Sequence, residues 1–126
     1  MSAGQRVSVA SAEHYAWGDP ERPCDAWHLV RTPELSVLLE RMPPGAQEVR
    51  HAHRRSRQFF FVLEGELAIN LGGREWALAD GQGIEVAPLT PHQVFNRTRD
   101  HVRFLVISQP PSPGDRVLAV TADTDQ

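Results

Sequence analysis

The chain is built from short β-prone runs separated by Gly, Pro, Asn and Asp, and it lacks the 3.6-residue periodicity of amphipathic helices. A two-residue Gly72-Gly73 turn between two such runs predicts a hairpin. Many short strands at close spacing are typical of a sandwich or a closed barrel, so the sequence predicts a single all-β domain. The predicted strands are Ala26–Arg31, Leu35–Met42, Arg57–Glu64, Glu66–Leu71, Arg74–Leu78, Ile84–Ala87, His92–Asn96 and His101–Ser108.

Charge and cysteine content exclude several classes of function. The net charge is −3, and the basic residues are dispersed apart from one short cluster around Arg54, which argues against a nucleic-acid partner. All 13 basic residues are arginine, so no lysine is available for a Schiff base. Cys24 is the only cysteine, which rules out an internal disulfide. Neither a signal peptide nor an apolar run of membrane-spanning length is visible, and we expect a cytoplasmic protein with no membrane partner.

Three of the six histidines fall in a pattern that suggests a metal site. His51 and His53 flank one residue, and residues two apart on a strand point to the same face, so both imidazoles would be presented together. Gln58 follows at the start of a strongly β-prone run, and His92 comes much later in the chain. The other three histidines, at positions 14, 28 and 101, are interpreted as surface or hydrogen-bonded residues.

The spacing of these residues resembles the first sequence motif of the cupin superfamily. Gly45 is followed by five residues and then by the His51–His53 pair. Four more residues lead to Gln58, at the position where the family usually has glutamate, and six further residues lead to Gly65.

The second cupin motif is matched as well. Gly81 leads through a proline-containing turn, Pro88–Pro91, to His92, and Asn96 follows after three residues. The resemblance covers about residues 35–108. It implies a single-domain cupin fold, the double-stranded β-helix or jelly-roll barrel. It also implies one divalent metal ion on His51, His53 and His92, with Gln58 as the fourth ligand.

Glutamine at the usual glutamate position changes the expected chemistry. Three neutral imidazoles and an amide oxygen leave the full charge on the ion, which makes it a stronger Lewis acid. The same ligands stabilise a ferric ion less than a carboxylate would. This favours Zn²⁺, Ni²⁺ or Mn²⁺ over iron, and non-redox chemistry such as isomerisation, cyclisation or a lyase step, for which the family has precedents with this ligand set. Two alternatives remain open: an Fe(II) dioxygenase and a non-catalytic small-molecule-binding cupin.

Strand parity predicts which side chains surround the metal. If Gln58 faces the ion, Phe60 lines the same pocket, and Val94 shares a face with His92. Phe104 is a further candidate. The pocket would hold a small-molecule substrate, although no catalytic acid or base can be named from the sequence. The arginine cluster is interpreted as a solvated surface.

The remaining apolar residues suggest an assembly. Phe59, Phe61 and Leu63 would point out of the barrel, and exposed apolar faces usually mark contacts. We therefore expect a homodimer in which an N-terminal segment, residues 1–25, contacts the partner. The barrel is expected over residues 26–110, followed by a C-terminal tail, residues 111–126.

Overall fold

A computed structural model describes residues 4–118, which contain eleven strands and no helix. Within this range there is accordingly no helix long and apolar enough to cross a membrane. The strands are β1 Glu13–Trp17, β2 Cys24–Arg31, β3 Ser36–Met42, β4 His51–His53, β5 Arg57–Glu64, β6 Leu67–Leu71, β7 Arg74–Leu78, β8 Gly83–Val86, β9 His92–Phe95, β10 Val102–Gln109 and β11 Arg116–Leu118.

The strands form two antiparallel sheets that enclose one core. The six-stranded sheet has the order β1-β2-β3-β10-β5-β8, and the five-stranded sheet has the order β11-β4-β9-β6-β7. Met42, Phe60 and Phe104 from the first sheet pack against Leu67 and Ile69 from the second. The predicted all-β fold, a double-stranded β-helix, is confirmed.

The alternation of side chains along β5 determines what faces the interior. Gln58, Phe60 and Val62 are buried, whereas Phe59 and Leu63 are exposed. This is the parity expected from the sequence, since successive side chains of a strand point to opposite faces of the sheet.

Three strands were not among those predicted from the sequence: β4, which has three residues, and one near each end of the described chain. β1 lies inside the expected N-terminal segment and pairs with β2, so that Tyr15 lies opposite Ala26. β11 lies inside the expected C-terminal tail and pairs with β4, with Arg116 opposite His53. A strand of three residues is too short to carry a detectable period. The rest of the expected tail, residues 119–126, lies outside the described part of the chain.

A buried carboxylate attaches β11 to the barrel. Asp115 accepts hydrogen bonds from the backbone N–H groups of Arg55 and Ser56, at 2.9 and 2.7 Å. Although burial raises the pKa of Asp115, these two donors and the positive charge of Arg55 outweigh it and hold the pKa below its usual 3.8. A carboxyl with a lowered pKa stabilises the fold above its usual pKa, and this stabilisation is lost as the pH falls below that value.

The outer face of the six-stranded sheet carries a continuous apolar band. Trp27, Leu39, Leu105 and Phe61 lie side by side across four neighbouring strands. The Phe59 ring stacks on that of Phe61, with 6.2 Å between the ring centres. Sheets with one solvated face usually place polar residues on it. The homodimer expected from the sequence stays a prediction, and this face, which we call the outer apolar band, is where we expect it to form.

We predict that the protein is a dimer in light scattering at micromolar concentration and that Phe59→Glu makes it monomeric. The substitution puts a charge into an interface that would have to be desolvated. Trp76→Glu is the matched control, because Trp76 is 37% exposed and Phe59 is 38% exposed, but Trp76 lies on β7 of the other sheet. A monomeric parent protein would contradict the prediction.

Candidate metal centre

Strand pairing brings the three predicted histidines together. His51 and His53 lie on β4, and His51 is the direct antiparallel partner of His92 at the start of β9. The distance between ring centres is 4.4 Å for His51 and His92, 4.8 Å for His51 and His53, and 5.6 Å for His53 and His92. One ring nitrogen from each lies within 4.8 Å of the others, and all three residues are buried. This spacing allows one metal ion to be shared.

Backbone carbonyls determine the tautomers of two of these rings. The Nδ1 atom of His51 lies 2.7 Å from the carbonyl oxygen of Val49, and that of His92 lies 3.0 Å from the carbonyl oxygen of Thr90. Because a carbonyl only accepts, each Nδ1 must carry the proton, which leaves each Nε2 with a free lone pair. Within residues 4–118, the buried Nε2 atom of His92 has no hydrogen-bond partner, and neither has Nδ1 of His53.

Gln58 offers an uncharged oxygen. Its Nε2 group donates to the hydroxyl of Ser108 on the neighbouring strand at 3.0 Å. Its Oε1 atom is buried and accepts no hydrogen bond from the described residues. A buried amide oxygen without a donor is costly, and coordination of a cation would satisfy it.

The histidines are held in the neutral form that binds metals. Burial, with a smaller contribution from the neighbouring rings and Arg116, lowers the pKa of His51 from 6.5 to about 3. Burial likewise lowers the pKa of His53 to about 4, and it lowers the pKa of His92. The guanidinium of Arg116 lies 3.0 Å from Nδ1 of His51. Since that nitrogen already donates to Val49, Arg116 acts there as a nearby positive charge.

The three histidines could hold one divalent metal ion, and Gln58 lines the same cavity. Three neutral imidazoles and one amide oxygen suit zinc, nickel, manganese or iron. The set carries no negative charge of its own, so it would leave the ion's charge uncompensated.

A cavity of about 340 Å³ lies beside the histidines. Phe60 and Val94 line it, as the sequence predicted, but Phe104 does not. Phe104 points inward on β10 yet lies deeper in the core, where its ring centre is 6.3 Å from that of Phe60. The cavity lies at the other end of this strand, where Val106 and Ser108 take the lining positions. Phe104 is therefore a core residue, because the sequence did not show at which end of β10 the cavity opens.

Several polar lining residues were missed by the sequence interpretation. Tyr15, Glu40, Glu48 and Arg116 all line the cavity. For Glu40 a signal was present, since it occupies an inward position of β3 between the apolar residues at 38 and 42. The other three lie on short strands or loops without a readable period.

The arginine cluster and the remaining histidines lie elsewhere. Arg54, Arg55 and Arg57 are exposed, as expected for a solvated surface, and Arg57 pairs with Glu85 at 2.6 Å. The fourth member of the cluster, Arg50, is half-buried instead. The histidines at positions 14, 28 and 101 do not line the cavity. His14, for example, bonds Asp25 at 2.8 Å on the surface.

The sequence profile of the cupin domain matches residues 38–108, more than half of the chain. The protein therefore belongs to the cupin family. An uncharacterised protein of Methanocaldococcus jannaschii is 29% identical over 70 residues, which are 56% of each chain. The chain thus spans about half the length of that relative.

Two solved structures illustrate the range of similar proteins. A sugar phosphate isomerase of the cupin superfamily from Silicibacter pomeroyi has a TM-score of 0.73 at 23% identity, covering 85% of this chain and 76% of that chain. The polyketide cyclase RemF from Streptomyces resistomycificus has a TM-score of 0.76 at 18% identity, covering 92% of this chain and 85% of that chain. Likeness at these identities establishes the fold alone.

We predict that the double variant His51→Ala/His53→Ala folds but loses stoichiometric metal, as measured by elemental analysis. A domain of this size buries a sufficient core without a metal.

The pKa values of His51 and His53 are lower in the folded protein than the unfolded value of 6.5, so protons bind the unfolded chain more tightly. The stability that the two rings confer at neutral pH is therefore lost as the pH falls from about 6.5 toward about 4. In metal-free protein the melting temperature should fall over that range, and less steeply in the double variant. The assignment of His51 and His53 as metal ligands would be contradicted if the variant kept full metal occupancy, or if the melting temperature fell equally steeply with pH in the parent and the variant.

Proposed function

We propose that this cupin is a metal-dependent enzyme that acts on a small organic molecule by non-redox chemistry of the isomerisation, cyclisation or lyase type. The ion would supply Lewis acidity, polarising a carbonyl or hydroxyl oxygen of the substrate. The observation that carries the proposal is that the donor atoms gathered at this site are uncharged. They are the buried rings of His51, His53 and His92 and Oε1 of Gln58, which accepts no hydrogen bond within residues 4–118 and whose amide donates to Ser108.

The absence of a carboxylate from this set supports Lewis-acid chemistry. A glutamate at position 58 would compensate part of the ion's charge, whereas an amide does not. The buried imidazoles cannot compensate it either, because burial keeps them neutral. Zinc, nickel or manganese is accordingly the ion that we propose, with iron as the alternative that would bring oxygen chemistry.

The cavity supports a small substrate. Its volume of about 340 Å³ lies at the lower end of the range found for small-molecule sites. Phe60, Val94 and Val106 form an apolar lining, which would exclude water and strengthen electrostatic interactions inside. The similar sugar phosphate isomerase and polyketide cyclase carry out chemistry of the proposed kind, and they are precedents by analogy.

The proposal is tested on protein purified without added metal. Its metal content is measured, and small hydroxyaldehydes and hydroxyketones are offered in air and under nitrogen with an oxygen electrode in place. We expect zinc, nickel or manganese, equal conversion in both atmospheres, and loss of conversion with a chelator. Bound iron together with stoichiometric oxygen uptake would overturn the proposal in favour of a dioxygenase. Tight binding without any conversion would favour a binding protein.

We predict that Gln58→Glu retains the metal but loses most of the activity. The added negative charge weakens the ion as a Lewis acid and raises the pKa of any group whose deprotonation the ion promotes. The acid limb of the pH–rate profile should then move to higher pH.

Two matched variants separate charge from geometry. Ser108→Ala removes only the hydroxyl that orients the amide, and it should weaken metal affinity by about 10- to 100-fold without moving the pH profile. Gln58→Ala removes the ligand and should loosen the metal further. If Gln58→Glu had the parent's activity and an unmoved profile, the charge argument would be wrong.

A further inference from the structure

One wall of the cavity carries His51 and His53 of the five-stranded sheet, and a second wall is formed by the six-stranded sheet. Tyr15 and Trp17 of β1 and Leu38 and Glu40 of β3 line it, and Glu48 joins them from the loop before β4. None of these is among the proposed metal ligands. We call these five residues the acidic wall.

Glu40 lies where an apolar residue would be expected. It is in the middle of β3, between Ala26 of β2 and Phe104 of β10. The side chains two positions before and after it on the same face are Leu38 and Met42. Strand parity therefore directs the Glu40 carboxyl into the barrel, towards the cavity that it lines.

The carboxyl of Glu40 has no ion-pair partner in residues 4–118, and only the nearby indole of Trp17 opposes the rise in its pKa. It is only 9% exposed and forms no ion pair there. The indole N–H of Trp17 is directed at it but does not complete a hydrogen bond. Burying a carboxyl in this way costs stability that a leucine would not. A purely structural role therefore does not explain its presence.

Glu48 places a second acid on the same wall. Its Oε2 atom accepts a hydrogen bond from the backbone N–H of Val94 at 3.0 Å, which orients the side chain. Burial and the nearby Glu40 raise the pKa of Glu48 to about 8, while Val94 and Arg116 oppose the rise. Burial raises the pKa of Glu40 to about 7. The pair is therefore partly protonated at neutral pH, where a group can both accept and donate a proton.

The other ionisable groups facing Glu40 stay protonated. Burial, followed by the charge of Glu40, raises the pKa of Tyr15 to about 12. Burial and the same charge raise the pKa of Cys24 on β2 to about 12. Neither group exchanges protons readily near neutral pH, which leaves the two glutamates.

We propose that Glu40 is the general acid–base residue of this cavity and that the substrate is a small hydroxycarbonyl compound lying between Glu40 and the histidines. The inference rests on the proposed function, because the carbonyl oxygen would face the metal side. Glu48 is the second acid of this wall, and the charge of Glu40 raises its pKa above that of Glu40.

The proton transfer balances without an oxidant or reductant. The Glu40 carboxylate takes the proton of the C–H bond next to the carbonyl and becomes a carboxylic acid. The electron pair of that bond forms a carbon–carbon double bond, and the carbonyl electrons move to oxygen, giving an enolate. Transfer of the neighbouring hydroxyl proton to the enolate oxygen, with return of the Glu40 proton to the former carbonyl carbon, gives the isomer. Alternatively, a hydroxyl group on the far side of the enolate takes the Glu40 proton and leaves as water, which gives the dehydrated product.

The test uses zinc-loaded protein and dihydroxyacetone in heavy water under nitrogen, with loss of the C–H signal followed by proton NMR. The parent should exchange faster than the same amount of free zinc. Glu40→Gln should lower the rate by about 100-fold or more with unchanged metal content. Glu40→Asp should recover part of it. Glu75→Gln, an exposed glutamate on β7, is the control and should leave the rate unchanged.

A second readout separates proton transfer from a structural role. Glu48→Gln should leave the rise of the pH–rate profile near pH 7, because Glu48, with a pKa of about 8, is still protonated and uncharged where Glu40 titrates. In metal-free protein, infrared difference spectra should contain a protonated-carboxyl band that disappears near pH 7, the pKa of Glu40 being about 7, and the band should be reduced in Glu40→Gln. If Glu40→Gln does not fold, the Glu40→Asp variant decides the question. An exchange rate equal to that of the parent, together with an unmoved pH–rate profile, would overturn the proposal.

The outcomes distinguish the two proposals. Exchange that needs zinc but is indifferent to Glu40→Gln overturns the role of Glu40 and leaves the metal function standing. Exchange that survives chelation but is lost in Glu40→Gln supports Glu40 and overturns the metal function. No exchange above that of free zinc overturns both.

Discussion

The antiparallel pairing of β4 with β9 is the contact on which the site depends. It sets His51 directly opposite His92, while the two-residue spacing on β4 brings His53 to the same face. Burying three imidazoles is unfavourable unless their polar atoms find partners. Two of the Nδ1 groups donate to backbone carbonyls, at Val49 and Thr90, so the second nitrogen of each is left for a ligand. The same pairing that closes the sheet thereby orients the rings.

Burial shifts the pKa values of the groups on the two walls of the cavity in opposite directions, and these shifts determine the chemistry that the site can perform. It lowers the pKa of the histidines and raises the pKa of Glu40 and Glu48, so both sets of groups are driven toward their uncharged forms. A bound cation would therefore be the largest charge in the cavity. A substrate between the walls would meet a Lewis acid on one side and a proton carrier on the other, which is a suitable arrangement for enolisation.

The C-terminal segment couples the rim of the cavity to the metal strand. Asp115 holds the turn after β4 through two backbone N–H groups, and Arg116 follows immediately, opposite His53 on the paired strand. The positive charge of Arg116 contributes to the low pKa of the histidines and opposes the high pKa of Glu48. The short strand β11 thus influences both walls. A substitution of Asp115 would therefore alter the surroundings of the histidines and of Glu48 as well as the local stability.

The fold class, eight of the eleven strands and the metal-ligand candidates could be predicted from the sequence, because strand parity and motif spacing are local properties. The period of two along β5 was sufficient to place Gln58 and Phe60 inside. Only the tertiary structure decided what faces them across the barrel. It placed Ser108 beside Gln58 and moved Phe104 into the core, because the register between β5 and β10 is not encoded in either strand alone. It likewise brought Glu40 to the cavity, since a single acid on an apolar strand acquires meaning only from what packs opposite it.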